Sequence, residues 1–168
     1  EYNFIDKIFN NFYENCEIHS FNYTKTIFEN ELDFDYDFED IFEIDEDNII
    51  KSGSIAQVYK AKIKKNIFNA NFTNVAIKVT HPEIDIQMNF IYPFVVLYDY
   101  LFIKGYFINT LFNLIDIKRI YLDIIKQNDM NYEHENVSFY YNYYLHNKYI
   151  IIPEPIYSTE NCLFMEFI

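Results

Sequence analysis

Two short strings in this sequence have residue types and spacing suited to chemistry. Ser52-Gly53-Ser54-Ile55-Ala56-Gln57-Val58-Tyr59-Lys60-Ala61 opens on small residues and continues with the alternation of a strand. Val75-Ala76-Ile77-Lys78-Val79 is a compact apolar strand with one lysine inside it. A small-residue turn between strands lets backbone N–H groups approach phosphate oxygens, where a bulky turn would block them. A lysine in an apolar strand needs a partner if it is buried, because an unpaired ammonium is costly away from water. In nucleotide-binding lobes that lysine holds the α- and β-phosphates and pairs with a helical glutamate. Val58 and Ala76 would then form an apolar ceiling over an adenine ring. Each string also has an ordinary reading. The lysine of a Val-Ala-Ile-Lys strand can snorkel to water, and a Ser-Gly-Ser turn can close a plain hairpin. Found together, in order and in adjacent strands, they favour a kinase-type lobe.

The carboxylate partner belongs on a helix downstream. Gln127 to Asn136 supplies candidates, because Asp129, Glu133 and Asn136 fall at i, i+4 and i+7 and share one face of a continuous helix. The competing reading is a set of solvated surface carboxylates. Further on, Leu163-Phe164-Met165-Glu166-Phe167-Ile168 is an apolar strand leading to a glutamate and a bulky pair. It suits an adenine-binding hinge whose backbone reads the base edge, or else an ordinary buried strand with a polar exit.

These residues need a scaffold, and the patterning predicts one. Helical spacing covers residues 2–15, and a second helix is expected from Tyr23 to Leu32 after a Ser20–Asn22 cap region. An acidic stretch over 33–47 ends in a helical turn near Phe38 to Phe42. Strands are expected at Ile49-Ile50, Ile55 to Ile63 and Asn74 to Val79, the last stopped by His81-Pro82. Helices follow near 84–104 and 110–146, with Pro93 and Gly105 as breaks. Two more strands, Ile156-Tyr157 and Cys162 to Phe167, flank a Ser158–Asn161 turn. The expected architecture is α+β, a five-stranded antiparallel sheet with inserted helices and a long helix carrying Glu133.

Composition narrows the function classes. The chain has 168 residues, 51% hydrophobic and 21% aromatic, with 2 Gly and 4 Pro, which excludes disordered, collagen-like and linker-like chains. Ile, Asn, Phe, Tyr and Lys dominate and Arg119 is the single arginine. All five favoured residues have AT-rich codons, so their excess is discounted as a functional signal. Net charge is 13 − 26 = −13, and no basic patch with interleaved aromatics marks a nucleic-acid binder. The run Glu29 to Asp47 holds no lysine or arginine and reads as a solvated acidic face before an acidic interaction surface. Lys60, Lys62 and Lys64 alternate onto one side of a strand, solvent-facing or phosphate-facing. Cys16 and Cys162 are too far apart for a zinc pattern and read as free, largely buried thiols. His19, His81, His134 and His146 lack metal-ligand spacing, and Glu133 and Glu135 diverge from His134 on a helix, so no metal site is expected. Phe90 to Ile103 is too short to span a membrane and Asp99 interrupts it. The first residue is Glu and no signal peptide is visible, so the chain is expected to be cut from something longer.

At this point the sequence resembles the UbiB/ADCK atypical kinases, also called aarF-domain kinases, from about His19 to Ile168. The resemblance rests on His19 to Lys25, Ser52 to Ala61, Val75 to Pro82, Asp129 to Asn136 and Pro153 to Ile168. The string Ser-Gly-Ser-Ile-Ala-Gln-Val-Tyr-Lys-Ala followed by Val-Ala-Ile-Lys-Val-x-His-Pro is quite specific. It implies a protein-kinase-like N-terminal lobe with family-specific helices between the third strand and the αC-type helix. An N-terminal extension would cover 1–43 and the lobe 44–168, with strands about 44–80, an insert about 84–108, the αC-type helix about 110–146, and strands and hinge about 150–168. By family pattern Lys78 is the phosphate lysine and Glu133 its ion-pair partner. Lys51, Ser52, Gly53 and Ser54 match the nucleotide loop, and Glu166 to Ile168 match the hinge, with Val58 and Ala76 beside the base. Three departures stand out. The loop reads Lys-Ser-Gly-Ser where the family is Ala-rich. Gln127 replaces the first Glu of a Glu-x-Asp motif and leaves Asp129, and the family's Lys-x-Gly-Gln helix motif is absent.

The resemblance further implies ATP as cofactor, with Mg²⁺ only when a C-terminal lobe is present, since no catalytic-loop Asp or metal ligand is recognised in this stretch. It implies a mitochondrial, membrane-associated setting and support of coenzyme Q synthesis or lipid homeostasis. Partners would be nucleotide and, through the apolar 90–115 helices, membrane lipid or quinone intermediates. As an enzyme the stretch would serve a longer atypical kinase or ATPase and catalyse nothing alone. A non-catalytic pseudokinase-like binding module and an inactive fragment are the rival expectations.

Overall fold

The computed structural model describes residues 18–32, 36–104 and 116–168. They belong to two compact units, Glu1–Pro82 with Met130–Ile168, and Glu83–Asp129. The helix expected over 2–15 and Cys16 lie outside the described residues.

In the first unit, helix α1 spans Phe21–Glu31. Ser20 caps it, its side chain accepting from the Tyr23 N–H, as the sequence predicts. A one-turn helix α2, Phe38–Ile41, leads into strand β1, Phe42–Ser52. Strands β2, Ala56–Ile63, and β3, Asn74–Thr80, follow as a meander. Helix α5, Met130–Tyr144, precedes β4, Pro155–Ser158, and β5, Cys162–Glu166. The sheet is antiparallel with strand order β1-β2-β3-β5-β4. The α+β class holds. β1 is longer than the Ile49-Ile50 strand expected, and its register against β2 slips between Ile44 and Lys51. The extra residues of β1 are accommodated as a bulge.

Period-two alternation gives the sheet two unlike faces. Val75, Ile77 and Val79 of β3 share one face with Tyr59 and Ala61 of β2 and Cys162 and Phe164 of β5, all buried. α1 and the start of β1 close over this face. Phe42 stacks on Phe164 at 5.3 Å between centroids, and Phe28 stacks on Phe38 at 3.9 Å. Each aromatic buried in this way stabilises by roughly 2 kcal/mol or more through area removed from water. Cys162 is a buried free thiol, as expected, and burial pushes its pKa well above the ordinary range. The opposite face carries Val58, Ala76 and Lys78, all half-buried.

In the second unit, Glu83 adopts a left-handed conformation (φ 64°) that turns the chain into α3, Ile84–Tyr98. Pro93 sits inside α3 and does not break it, contrary to expectation. A π-helical segment, Asp99–Lys104, follows, and Gly105 lies outside the described residues. Helix α4, Ile117–Asn128, is capped by Asp116, whose carboxylate accepts from the Arg119 N–H at 2.9 Å. α3 and α4 are joined by the Tyr121 hydroxyl donating to the Met88 carbonyl at 3.0 Å and by the Tyr92–Tyr121 ring contact. Among the described residues no helix is long and apolar enough to cross a membrane.

The single helix expected over 110–146 is two, α4 and α5. Asp129 separates them in an extended conformation (φ −85°, ψ 109°). Asp129 therefore does not share a helix face with Glu133, and the i, i+4, i+7 reading fails at its first member.

Candidate functional site

The site is built on one row of residues that crosses the sheet. Lys51 of β1 pairs with Val58 of β2, Val58 with Lys78 of β3, and Lys78 with Leu163 of β5. Directly opposed residues of antiparallel strands point to the same face. Lys51 and Lys78 thus share a face, their backbones roughly 10 Å apart at two strand spacings.

α5 brings the acid to this row. Its first residue, Met130, is fully buried against Leu163 and Ala56, with Ile55 and Met165 packed around them. The Met130 N–H donates to the Glu160 carbonyl at 3.0 Å in the β4–β5 turn. That turn is fastened in its own right. The Thr80 N–H donates to the Asn161 carbonyl at 3.0 Å and the Thr80 hydroxyl to Asn161 Oδ1 at 2.7 Å. The Asn161 N–H and side-chain amide donate to the carboxylate of Glu31 at the end of α1. One helical turn after Met130, Glu133 lies on the same side of α5. Its carboxylate accepts from Lys78 Nζ through both oxygens, at 2.8 Å to Oε1 and 2.6 Å to Oε2. Both side chains are about one quarter exposed, 24% and 29%. The pair is charge-assisted and bidentate. Two of the three ammonium protons go to the carboxylate, which leaves one donor for an incoming anion.

The β1–β2 turn lies beyond Lys51 on the same two strands. The Gly53 N–H donates to the Ala56 carbonyl at 2.9 Å and closes the turn. Gly53 does not have a positive φ, and a Cβ placed there would meet the Ala56 carbonyl at 3.6 Å, an ordinary contact. Neither the backbone nor the packing demands glycine here. Ser54 and Lys51 are exposed. Ser52 is different. It pairs with Gln57 on the core side of the sheet, is 5% exposed, and its hydroxyl lies 3.3 Å from His81 Nε2. Its side chain belongs to the packing beneath the turn, so only its backbone faces the row of lysines.

The hinge candidates lie at the far edge of β3. The Glu166 N–H donates to the Glu154 carbonyl at 2.8 Å and the Phe167 N–H to the Asn74 carbonyl at 3.1 Å. The Glu166 carboxylate accepts from the Glu154 N–H at 3.4 Å, and Ile168 is exposed. Lys60 places its ammonium 4.1 Å over the Phe167 ring. Among the described residues no group of three or more His, Cys, Asp or Glu is placed to hold a metal ion.

A family model described as the ABC1 atypical kinase-like domain matches residues 11–168. The chain belongs to this ABC1 family. The match covers nearly all of the sequence and bears out the UbiB/ADCK resemblance. A solved structure, the complex of Rv3197 with erythromycin from Mycobacterium tuberculosis, shares the fold of this ABC1 chain with a TM-score of 0.60 at 16% identity. The likeness covers 88% of this chain and 35% of that one, so the ABC1 chain spans about a third of its length. No curated protein matches the ABC1 chain.

Sequence reasoning missed a buried polar group beneath the turn. His81, given no site role from the sequence, has Nε2 2.9 Å from the Gly53 carbonyl and Nδ1 2.8 Å from His19 Nδ1. His19 Nε2 lies 3.0 Å from the Thr24 hydroxyl, which lies 2.8 Å from the Tyr59 hydroxyl. Gln57 completes the group beside Tyr59. The available signal was Gln57 itself, a polar residue at a core-facing position of an alternating strand. Burial and then the neighbouring His81 lower the pKa of His19 from 6.5 to about 4. The neutral ring is thus the form the fold accepts. The unfolded chain takes up a proton near pH 6.5 and the folded one only near 4, so the stabilisation is complete above 6.5 and is lost as the pH falls towards 4. The loss over that window is on the order of 3 kcal/mol. Urea unfolding at pH 7 and pH 5, where most carboxylates are still ionised, is expected to show a steeper fall for wild type than for His19→Gln. Parallel pH profiles would contradict this.

Proposed function

We propose that this ABC1 chain is the nucleotide-binding lobe of an atypical kinase or ATPase. The Lys78–Glu133 pair carries the reading: a half-buried ammonium held by a helical acid, in the same row as Lys51 and Val58 and near a small-residue turn. The residues present fit an adenine nucleotide. Lys78 would hold its phosphates with the one proton Glu133 leaves it, and Glu133 would aim that proton. Lys51 and the backbone of Ser52, Gly53 and Ser54 would cover the phosphates, and the space a Cβ at 53 would fill lets them approach closely. Val58 and Ala76 would lie over the base, and the backbone of Glu166 to Ile168 would read its edge. A bound nucleotide would supply the phosphoryl group to be transferred. Mg²⁺ ligands and the residue orienting the acceptor belong to a second lobe in this proposal.

The finer reading extends the family resemblance. The longer protein would act in support of coenzyme Q synthesis or mitochondrial lipid homeostasis, with lipid or quinone meeting the exposed Phe90, Phe94 and Leu97 of α3. Calorimetry with ATP and ADP, with and without Mg²⁺, tests the core of the proposal. Wild type is expected to bind, and Lys78→Ala to bind at least about tenfold more weakly, a loss of roughly 1.4 kcal/mol. Equal affinities in the two proteins would overturn the assignment.

A further inference from the structure

We infer that His81, backed by His19, is a positioning residue that clamps the Ser52–Ile55 turn to the strand carrying Lys78. The inference rests on the reading of that turn as the element covering the phosphates. His81 follows β3 directly and lies three residues after Lys78. It holds the turn at three points: its ring Nε2 meets the Gly53 carbonyl at 2.9 Å and the Ser52 hydroxyl at 3.3 Å, and its backbone N–H donates to the Ile55 carbonyl at 2.9 Å. The turn and the lysine are thereby referenced to the same strand. Without these contacts the turn, exposed at Ser54, would be freer to lift away from the phosphates that Lys78 would hold.

The direction of every hydrogen bond behind this clamp follows from chemistry. The Gly53 carbonyl can only accept, so His81 Nε2 carries a hydrogen. In a neutral ring His81 Nδ1 is then an acceptor, and the hydrogen between the two rings belongs to His19 Nδ1. His19 Nε2 is left as an acceptor and takes the Thr24 hydroxyl hydrogen. The Thr24 oxygen in turn accepts from the Tyr59 hydroxyl, and the Tyr59 oxygen accepts from the Gln57 amide. The far end is fixed as well. Gln57 Oε1 accepts from the His19 backbone N–H at 3.1 Å, which directs its Nε2 towards Tyr59. The chain therefore runs one way, from an amide that can only donate to a carbonyl that can only accept. A proton added to either ring would place hydrogens on both facing Nδ1 atoms, or reverse the chain and leave the Tyr59 hydroxyl hydrogen with no acceptor among these groups. The network thus aims the His81 Nε2–H at the turn.

Two variants separate the two ends of the His81 ring. His81→Gln carries an amide N–H that can take the place of ring Nε2 at Gly53, but it gives up the acceptor facing His19. His81→Asn keeps an acceptor at the position of Nδ1 and loses the reach to Gly53. Amide exchange at Gly53 is expected to be roughly fivefold faster in His81→Asn, the effect of one lost hydrogen bond. In His81→Gln it is expected to stay within about twofold of wild type. Affinity for ATP should fall with the first variant and hold with the second. Nitrogen NMR of the rings at pH 7.5 should show His81 protonated at Nε2 and His19 at Nδ1. Equal exchange in the two variants, or a His19 ring protonated at Nε2, overturns the clamp. Failure of the wild-type chain to bind nucleotide overturns the reading of the site and the clamp's role in phosphate positioning, while ring and exchange data still decide the clamp itself.

Discussion

Met130→Ala is expected to lower the unfolding free energy by about 2–5 kcal/mol and to weaken nucleotide binding in the same protein. Met130 is fully buried between Ala56 and Leu163 on the side of the sheet that carries Lys78. Its truncation removes apolar contact and leaves a cavity at the first residue of α5, where the helix start is also fastened by the Met130 N–H to the Glu160 carbonyl and by the Ser158 hydroxyl to Asn131 Oδ1. Glu133 stands one turn along, and its 2.6–2.8 Å contacts to Lys78 depend on that anchor. A shift of α5 by even 1 Å would open the bidentate geometry. Met130→Leu conserves volume and is expected to cost under about 1.5 kcal/mol while preserving binding. Urea unfolding and calorimetry on the three proteins test both parts. A mild destabilisation by alanine with unchanged nucleotide affinity would show that α5 is held by something else.

Phe164→Ala acts on the other face and is expected to cost about 3–5 kcal/mol. Phe164 is fully buried, stacked on Phe42 at 5.3 Å, and within 6.1 Å of Phe28 and 5.9 Å of Tyr157 between ring centroids. It therefore joins α1, β1, β4 and β5 in one core, and no rearrangement of a single element can fill its place. Phe139 of α5, 63% exposed, is the control, and its replacement by alanine should stay within about 0.5 kcal/mol. Phe164 does not touch the row of lysines, so any loss of nucleotide affinity in Phe164→Ala should track the unfolded fraction alone. A comparable stability loss from both substitutions would mean that the core is centred elsewhere.

Most of the sheet was legible because alternation is a local signal. Val75 to Val79 read as a compact apolar strand with one lysine inside it, and the structure forms that strand with Val75, Ile77 and Val79 buried and Ala76 and Lys78 half-buried. The Ser-Gly-Ser turn and the half-buried lysine were legible for the same reason, since their chemistry lies in neighbouring residue types. The expected pairing of Glu133 with Lys78 is present, but the helix that carries Glu133 is not the one expected. Apolar spacing runs unbroken through Asp129, and the chain breaks there because Met130 must meet Leu163 and the Glu160 carbonyl, more than 29 residues away in sequence. Ser52 was read as a ligand residue by its place in the turn, yet register turns its hydroxyl into the packing beneath, towards His81. The polar chain from Gln57 to Gly53 left almost no trace, because its contacts join residues 38 and 62 positions apart.

The sequence by itself determined which residues could bear charge and which strands would bury one face, because periodicity and residue chemistry act over a few neighbouring positions. Only the tertiary structure decided where the acid-bearing helix begins, which way Ser52 points and what holds the turn above Lys78. Those outcomes depend on groups brought together across long chain separations, where packing and the need to satisfy buried hydrogen-bonding groups select among locally equivalent conformations.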